Sequence, residues 1–231
     1  MNGLAALSAF GFALICVFAG RLGIGSRLRQ PSGLSFAGGA ATAYVFVHLL
    51  PEIGYHRLRI EESDHASYEA FLYPVLLAGT SIYYALESYL SHSRRMRGPA
   101  GFAVHMAGFS LYFALIGYFL QHRGDKGAEQ ELFYFLVLGL HILVLDTVFR
   151  RRHEALYDRI GRWVMAASVL AGWALGELVE FPAAVSGMAF ALLAGGMILN
   201  ILKQELPASK EGQVVPFLIG AASCAALLAL A

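Results

Sequence analysis

Apolar residues fall into eight stretches along the 231-residue chain, at roughly 3–20, 34–54, 70–91, 101–121, 130–149, 161–181, 184–203 and 213–231, with short polar connections between them. A membrane-spanning helix needs about 20 mostly apolar residues. In hydrocarbon only helices and closed barrels satisfy their own backbone hydrogen bonds, and the alternating pattern of barrel strands is missing here. The pattern therefore predicts an all-α polytopic membrane protein, with eight transmembrane helices in one domain over 1–231.

The polar connections sort by charge. Arg21, Arg27 and Arg29 follow helix 1, and Arg94, Arg95 and Arg97 follow helix 3. Arg150, Arg151, Arg152, Arg159 and Arg162 lie around the connection from helix 5 to helix 6, and Lys203 and Lys210 follow helix 7. The other connections carry only Arg57, Arg59, Arg123 and Lys126, among several acids. By the positive-inside rule the arginine-rich side is cytoplasmic, which puts both termini outside. Removing or adding one helix would destroy this alternation.

Composition agrees with lipid as the solvent. Hydrophobic residues make up 58% and charged residues 14% of the chain, against about 25% charged in soluble domains. Mean hydropathy is +0.59. Eight helices use nearly the whole length, so no soluble catalytic domain is expected. The net charge of +1, spread over separate connections, makes no nucleic-acid-binding stripe. Cys16 and Cys224 both lie in apolar stretches and suggest neither a disulfide framework nor a cysteine zinc site. No Lys or Arg precedes the first stretch, unlike a secretory signal, and it is expected to be a retained helix.

Helices 2 and 7 look alike. Ala37-Gly38-Gly39 leads through an apolar run to His48-Leu49-Leu50-Pro51-Glu52, and Ala194-Gly195-Gly196 leads through a similar run to Lys203-Gln204-Glu205-Leu206-Pro207. The two copies run in opposite directions, so helices 1–3 and 6–8 form an expected inverted repeat around helices 4 and 5. Transporters use such repeats with a substrate site near the midplane, although Gly-Gly pairs also serve ordinary helix packing.

Ionisable groups inside spanning helices are costly and point to function. Here they are His48, His105, His141, Asp146, Glu177 and Glu180, with Glu87 near one end of helix 3. His141 lies near the middle of helix 5 and suits metal binding or proton transfer; a hydrogen bond to a neighbouring helix is the competing role. Asp146 follows five positions on, about 140° around the helix, and has Arg150 one turn later as an ion-pair partner. With His105 on helix 4 these form an N/N/O set suited to zinc or another first-row divalent ion. Glu177 and Glu180, three apart, share an expected helix face towards the outer surface. His48 and Glu52, four apart, make a similar outer face, and together with Glu177 and Glu180 they outline an acidic entrance for a cation. Water-exposed interface residues are the other reading of Glu180 and Glu52, and Asn200 suits a helix–helix hydrogen bond. Most Tyr and Trp residues are explained as belt anchors, and scattered Met residues give no copper pathway.

The Gly-Gly to His-Leu-Leu-Pro-Glu helix, the Glu-Leu-Pro close of helix 7, the eight spans and the external termini together resemble the ZIP family of divalent metal transporters. The resemblance covers nearly the whole length in topology and is strongest in helices 2 and 7. It implies a 3+2+3 arrangement with metal held between helices 4 and 5. Those helices depart from the family pattern. Where the family reads His-Asn-x-x-Asp-Gly in helix 4, this chain has His105-Met106-Ala107-Gly108-Phe109-Ser110. Where it often reads His-Glu-x-Pro-His-Glu in helix 5, this chain has His141-Ile142-Leu143-Val144-Leu145-Asp146. Four ligand-type positions are apolar, so the expected site is one divalent ion on His105, His141 and Asp146, with Glu177 as a further candidate, and not a binuclear centre.

The leading expectation is thus a ZIP-like transporter of zinc or a similar divalent cation, without a prosthetic group, in a cell membrane of the bacterial inner-membrane type. Its partners are the cation and the bilayer, with a homodimer left open. The alternative is a ZIP-fold protein that has lost the metal centre and serves as sensor, scaffold or carrier of another solute. A membrane-embedded hydrolase or a bis-histidine haem protein ranks last: a catalytic metal needs a general base as well, and helices 4 and 5 offer none, so no enzyme is expected.

Overall fold

The computed structural model describes residues 3–20, 30–63, 66–92, 98–122, 127–205 and 212–230, and the regular structure among them is entirely helical. The helices are α1 (Gly3–Phe18), α2 (Pro31–Glu61), α3 (Leu72–His92, after a short 3₁₀ turn, Ala66–Phe71), α4 (Pro99–Gln121), α5 (Ala128–Leu156), α6 (Arg162–Leu178), α7 (Ala183–Asn200) and α8 (Val214–Leu230). Wide π turns occupy Val45–Leu49 within α2, Tyr157–Gly161 between α5 and α6, and Ile201–Glu205 at the end of α7. Pro31 and Pro99 stand in the first turns of α2 and α4, where a missing N–H does no harm. Pro51 explains the π turn in α2. It cannot donate to the Val47 carbonyl, and the Leu50 N–H reaches back to Val45 instead.

Among the described residues four helices are long and apolar enough to cross a membrane: Pro31–Glu61, Pro99–Gln121, Glu131–His153 and Ala183–Lys203. The apolar helices Gly3–Phe18 and Val214–Ala229 are shorter. Large side chains such as Leu7, Leu178 and Val214 are left 71–81% exposed, as suits a surface turned to lipid.

Side-chain neighbours give the direction of every helix. Ser8 of α1 meets Glu131 of α5, and Phe12 stacks on Phe135 four positions on along both helices, so α1 and α5 run parallel. Phe10 meets Trp173 and the Val17 carbonyl meets Arg162, so α1 and α6 are antiparallel. Gly117 lies on Val169 and Gly176 on Tyr118 and Gln121, which makes α4 and α6 parallel. Within the remaining set, α2 parallels α8, α3 parallels α7, and the end of α2 (His56, Ile60) meets the start of α7 (Phe190, Gly187). Tyr83 and Glu87 of α3 meet Tyr112 and His105 of α4 in antiparallel order. Odd-numbered helices therefore run one way and even-numbered helices the other.

Two of these interfaces are the same contact made twice. A Cβ on Gly39 would collide with the Phe217 carbonyl and the Ala221 nitrogen, and one on Gly220 with the Phe36 carbonyl. A Cβ on Gly195 would collide with the Leu76 carbonyl and the Thr80 nitrogen, and one on Gly79 with the Leu192 carbonyl. Phe36 and Leu192, Gly39 and Gly195, and the π turns beginning at Val45 and Ile201 are each 156 positions apart. Aligning the two copies on Ala37 and Ala194 is thus one residue out of register, whereas aligning them on Pro51 and Pro207 agrees; Pro207 itself lies outside the described residues.

Some helix ends differ from the sequence expectation. Helix α2 continues past 54 to Glu61 because Ile53, His56 and Ile60 keep one buried face at helical spacing, so Arg57 and Arg59 lie on a helix and not in a loop. Helix α5 continues past 149 through the arginines. Helix α6 stops at Leu178, and Val179 is extended at φ −135°, ψ 121°, since Phe181-Pro182 disfavours further helix. Glu177 and Glu180 therefore do not share a helix face: Glu177 is on α6 and Glu180 beyond its end. Arg21, Arg27, Arg29, Arg94, Arg95, Arg97, Arg123, Lys126 and Lys210 lie outside the described residues.

If the glycine seams hold the bundle, Gly39→Val and Gly195→Val should each destabilise the protein by at least the ~1–3 kcal/mol typical of overpacking. Gly54→Ala, where an added Cβ meets nothing within 4 Å, should leave stability within about 0.5 kcal/mol. Unfolding of the purified protein in mixed micelles measures this; equal losses at all three positions would contradict it.

Candidate functional site

Among the described residues, His105, His141 and Asp146 belong to three separate buried polar groups. The first joins the central helices: Tyr112 Oη of α4 and His141 Nε2 of α5 lie 2.8 Å apart, both residues buried. His141 is thus engaged with a neighbouring helix. Tyr112 lies two turns beyond His105, about 10 Å along α4, so His105 and His141 sit at different levels.

The second group surrounds His105, which is fully buried. Its Nδ1 is 2.9 Å from His153 Nε2 on α5, and its Nε2 lies 3.7 Å from Glu87 Oε2 on α3. Glu87 accepts an ion pair from Arg152. The edges of Phe109 and Phe149 close on the His105 ring at centroid distances of 5.0 and 5.2 Å. Three helices thus meet at one imidazole.

The third group is Asp146, 2% exposed. It accepts from Arg150 Nε at 2.7 Å and a second Arg150 nitrogen at 3.2 Å, and from Tyr157 Oη at 3.0 Å. Arg150 also pairs with Asp158 and lies 5.4 Å from the Tyr157 ring centroid. Along a straight helix eleven residues rise about 16 Å, farther than a Tyr and an Asp side chain can reach together. The Asp146–Tyr157 bond therefore requires the chain to bend between them, and it lies where α5 hands over to the reversed α6. The group acts as a clasp on that turn.

His105, His141 and Asp146 are consequently not brought to one point, and among the described residues no three His, Cys, Asp or Glu side chains are arranged to hold a metal ion. A divalent cation on Asp146 would have to displace a bidentate guanidinium, so these residues as placed do not fit a metal.

The outer residues are dispersed too. Glu177 accepts a hydrogen bond from Gln121 Nε2 of α4. His48 lies between Tyr44 and Tyr134, 5.1 and 6.0 Å between ring centroids. Glu180 lines a crevice with His56, Arg59 and His122, away from His48. Asn200 is buried at the end of α7.

His153, Tyr112, Tyr157, His56 and Arg152 were not legible as site residues. The apolar stretch of helix 5 ends before the arginines, so His153 and Arg152 lie beyond the helix that hydropathy predicts. Tyr112 carried a usable signal, since a tyrosine seven positions from His105 lies on the same helix face. No family model, curated protein or solved structure matches this chain.

Separate groups should behave independently. His141→Gln and Asp146→Asn are expected to be additive in stability within about 0.5 kcal/mol, with Asp146→Asn alone costing on the order of 3 kcal/mol by stranding Arg150. A double-mutant cycle in mixed micelles tests this, and a coupling well above 1 kcal/mol would mean that the two residues share a site.

Proposed function

We propose that this chain is an integral membrane protein on the ZIP plan, with eight transmembrane helices in a 3+2+3 order and α1–α3 and α6–α8 as inverted repeats, whose central pair no longer carries a divalent cation. Its role is then that of a ZIP-fold carrier of another solute, a sensor or a scaffold. The observation that carries the reading is the bidentate hold of Arg150 on Asp146, which neutralises the acid expected to bind metal. Strict alternation of helix direction supports the eight crossings. The twice-made seam in a common register supports the repeat. Arg150, Arg151, Arg152, Arg159, Arg162 and Lys203 gather at one end of the bundle and Arg57 and Arg59 at the other, which supports a cytoplasmic face at the first end and external termini.

One observation favours the metal-transport reading. His105, His153 and Glu87 bring two imidazoles and a carboxylate into a single buried group between α3, α4 and α5. A small rearrangement that released Arg152 would leave ligands of a kind suited to zinc.

Zinc uptake into proteoliposomes containing the purified chain separates the readings. The expected result is flux no greater than in protein-free vesicles. Saturable flux abolished by His141→Ala with Asp146→Ala would overturn the proposal, and saturable flux abolished instead by His105→Ala with His153→Ala would establish the second reading.

A further inference from the structure

At the end of the bundle opposite the arginine-rich one, α2, α4 and the start of α7 enclose a crevice lined by His56, Arg59, Phe119, His122 and Glu180 together with the first turn of α7. Its volume is about 20 Å³. One water-sized occupant needs about 10–15 Å³, so the space suits a single atom-sized ligand and excludes a phosphate or an amino acid.

The lining is built mainly of donors. Helix α7, 18 residues long, begins after Pro182 without a side-chain cap. Ala183 is the first-turn residue on the crevice whose N–H has no acceptor within the helix, and it stands at the positive end of the helix dipole. Ser186 is the first residue of this turn whose N–H is engaged, with the Pro182 carbonyl at 3.0 Å. Arg59 brings a full positive charge, its guanidinium 5.9 Å from the Tyr55 ring centroid. His122 is held against Tyr118: its ring stacks at 4.3 Å and Nδ1 donates to the Tyr118 carbonyl at 3.1 Å, so the Nε2 of the neutral ring is an acceptor and His122 is not among the donors. Phe119 and Phe181 complete the wall.

His56 is the independent sign of a ligand. It is 8% exposed, packed on the Phe190 ring at 4.7 Å and edge-on to Phe119 at 6.1 Å. Among the described residues neither of its ring nitrogens has a hydrogen-bond partner, and it faces this crevice. Its ring opens on the crevice, so a ligand there supplies the partner that the protein does not.

We propose that the crevice binds one chloride-sized monovalent anion, held by the Ala183 N–H at the start of α7, by Arg59 and by the imidazole of His56. Among the described residues Glu180 is the only acid in the lining, and its carboxylate opposes the anion, which keeps binding weak. A divalent cation on His56, His122 and Glu180 is the competing occupant. It is disfavoured because it would face both Arg59 and the positive helix end. Bound anion would tie the outer ends of α2 and α4 to α7, independently of the central groups and of whether the protein carries a solute.

The test uses the full chain in nanodiscs and the line width of ³⁵Cl in chloride titrations balanced with gluconate. Wild-type protein should give excess broadening that saturates and is displaced by bromide. Glu180→Gln, an exposed change that leaves the fold intact by circular dichroism, should tighten the apparent Kd at least threefold. Arg59→Gln combined with His56→Phe should abolish the excess. Broadening that does not saturate, or that is equal in wild type and both variants, would overturn the proposal. So would tight binding of zinc, titrated alone as the sulfate, that is lost in Glu180→Gln.

Discussion

Helices as apolar as these gain little from the hydrophobic effect when their surroundings are apolar too, and close packing with interhelical hydrogen bonds must hold them together. In this chain the need is met where backbone touches backbone. Gly39 and Gly220 let α2 and α8 meet at their main chains, and Gly195 and Gly79 do the same for α3 and α7. Each pair works only if the helices are parallel and in one register. The other features of that half of the bundle follow: the two π turns stand at matching heights, and the end of α2 is delivered to the start of α7. Gly117 and Gly172 make a comparable seam between α4 and α6.

Within this frame the buried charges act as fasteners. Asp146, Arg150, Tyr157 and Asp158 secure the turn from α5 into α6, and Glu87 with Arg152 ties α3 to α5 across His105. Arginine suits this work, because its planar fork satisfies a carboxylate bidentately. The same property makes the acids poor places for a cation. Breaking such a pair on one side leaves a stranded charge, whereas a metal-transport pathway needs ligands that can be occupied and released. The interior among the described residues is arranged for holding helices.

Much of the fold was legible because its determinants are local or periodic. Apolar stretches of helical length announced the helices, and Gly-Gly followed by Pro announced the likeness of α2 and α7. The register was legible only from the proline. The glycine that makes the seam is the second of its pair in α2 and the first in α7, a difference set by the partner helix. The Asp146–Arg150 pair could be anticipated from spacing of four, whereas the meeting of His105 with His153 could not, because it depends on how α4 and α5 cross. The spacing of Glu177 and Glu180 suggests one helix face, but the Phe181-Pro182 stop that follows ends α6 at Leu178 and separates them. The crevice around His56 comes from three chain segments and left no mark in any one of them.

Alternating helix direction across a membrane is the claim on which the proposed architecture stands, and side-specific thiol labelling tests it most directly. Cys16 and Cys224 are both buried, and replacing them with alanine gives a background for single cysteines. In intact cells a membrane-impermeant maleimide should label Ser63→Cys, Gly127→Cys and Glu180→Cys. Gln30→Cys, Arg159→Cys and Gln213→Cys, at the opposite end of the bundle, should react only after the membrane is permeabilised. Labelling that mixes the two sets, with Ser63→Cys and Gly127→Cys on opposite sides, would contradict the eight-crossing account.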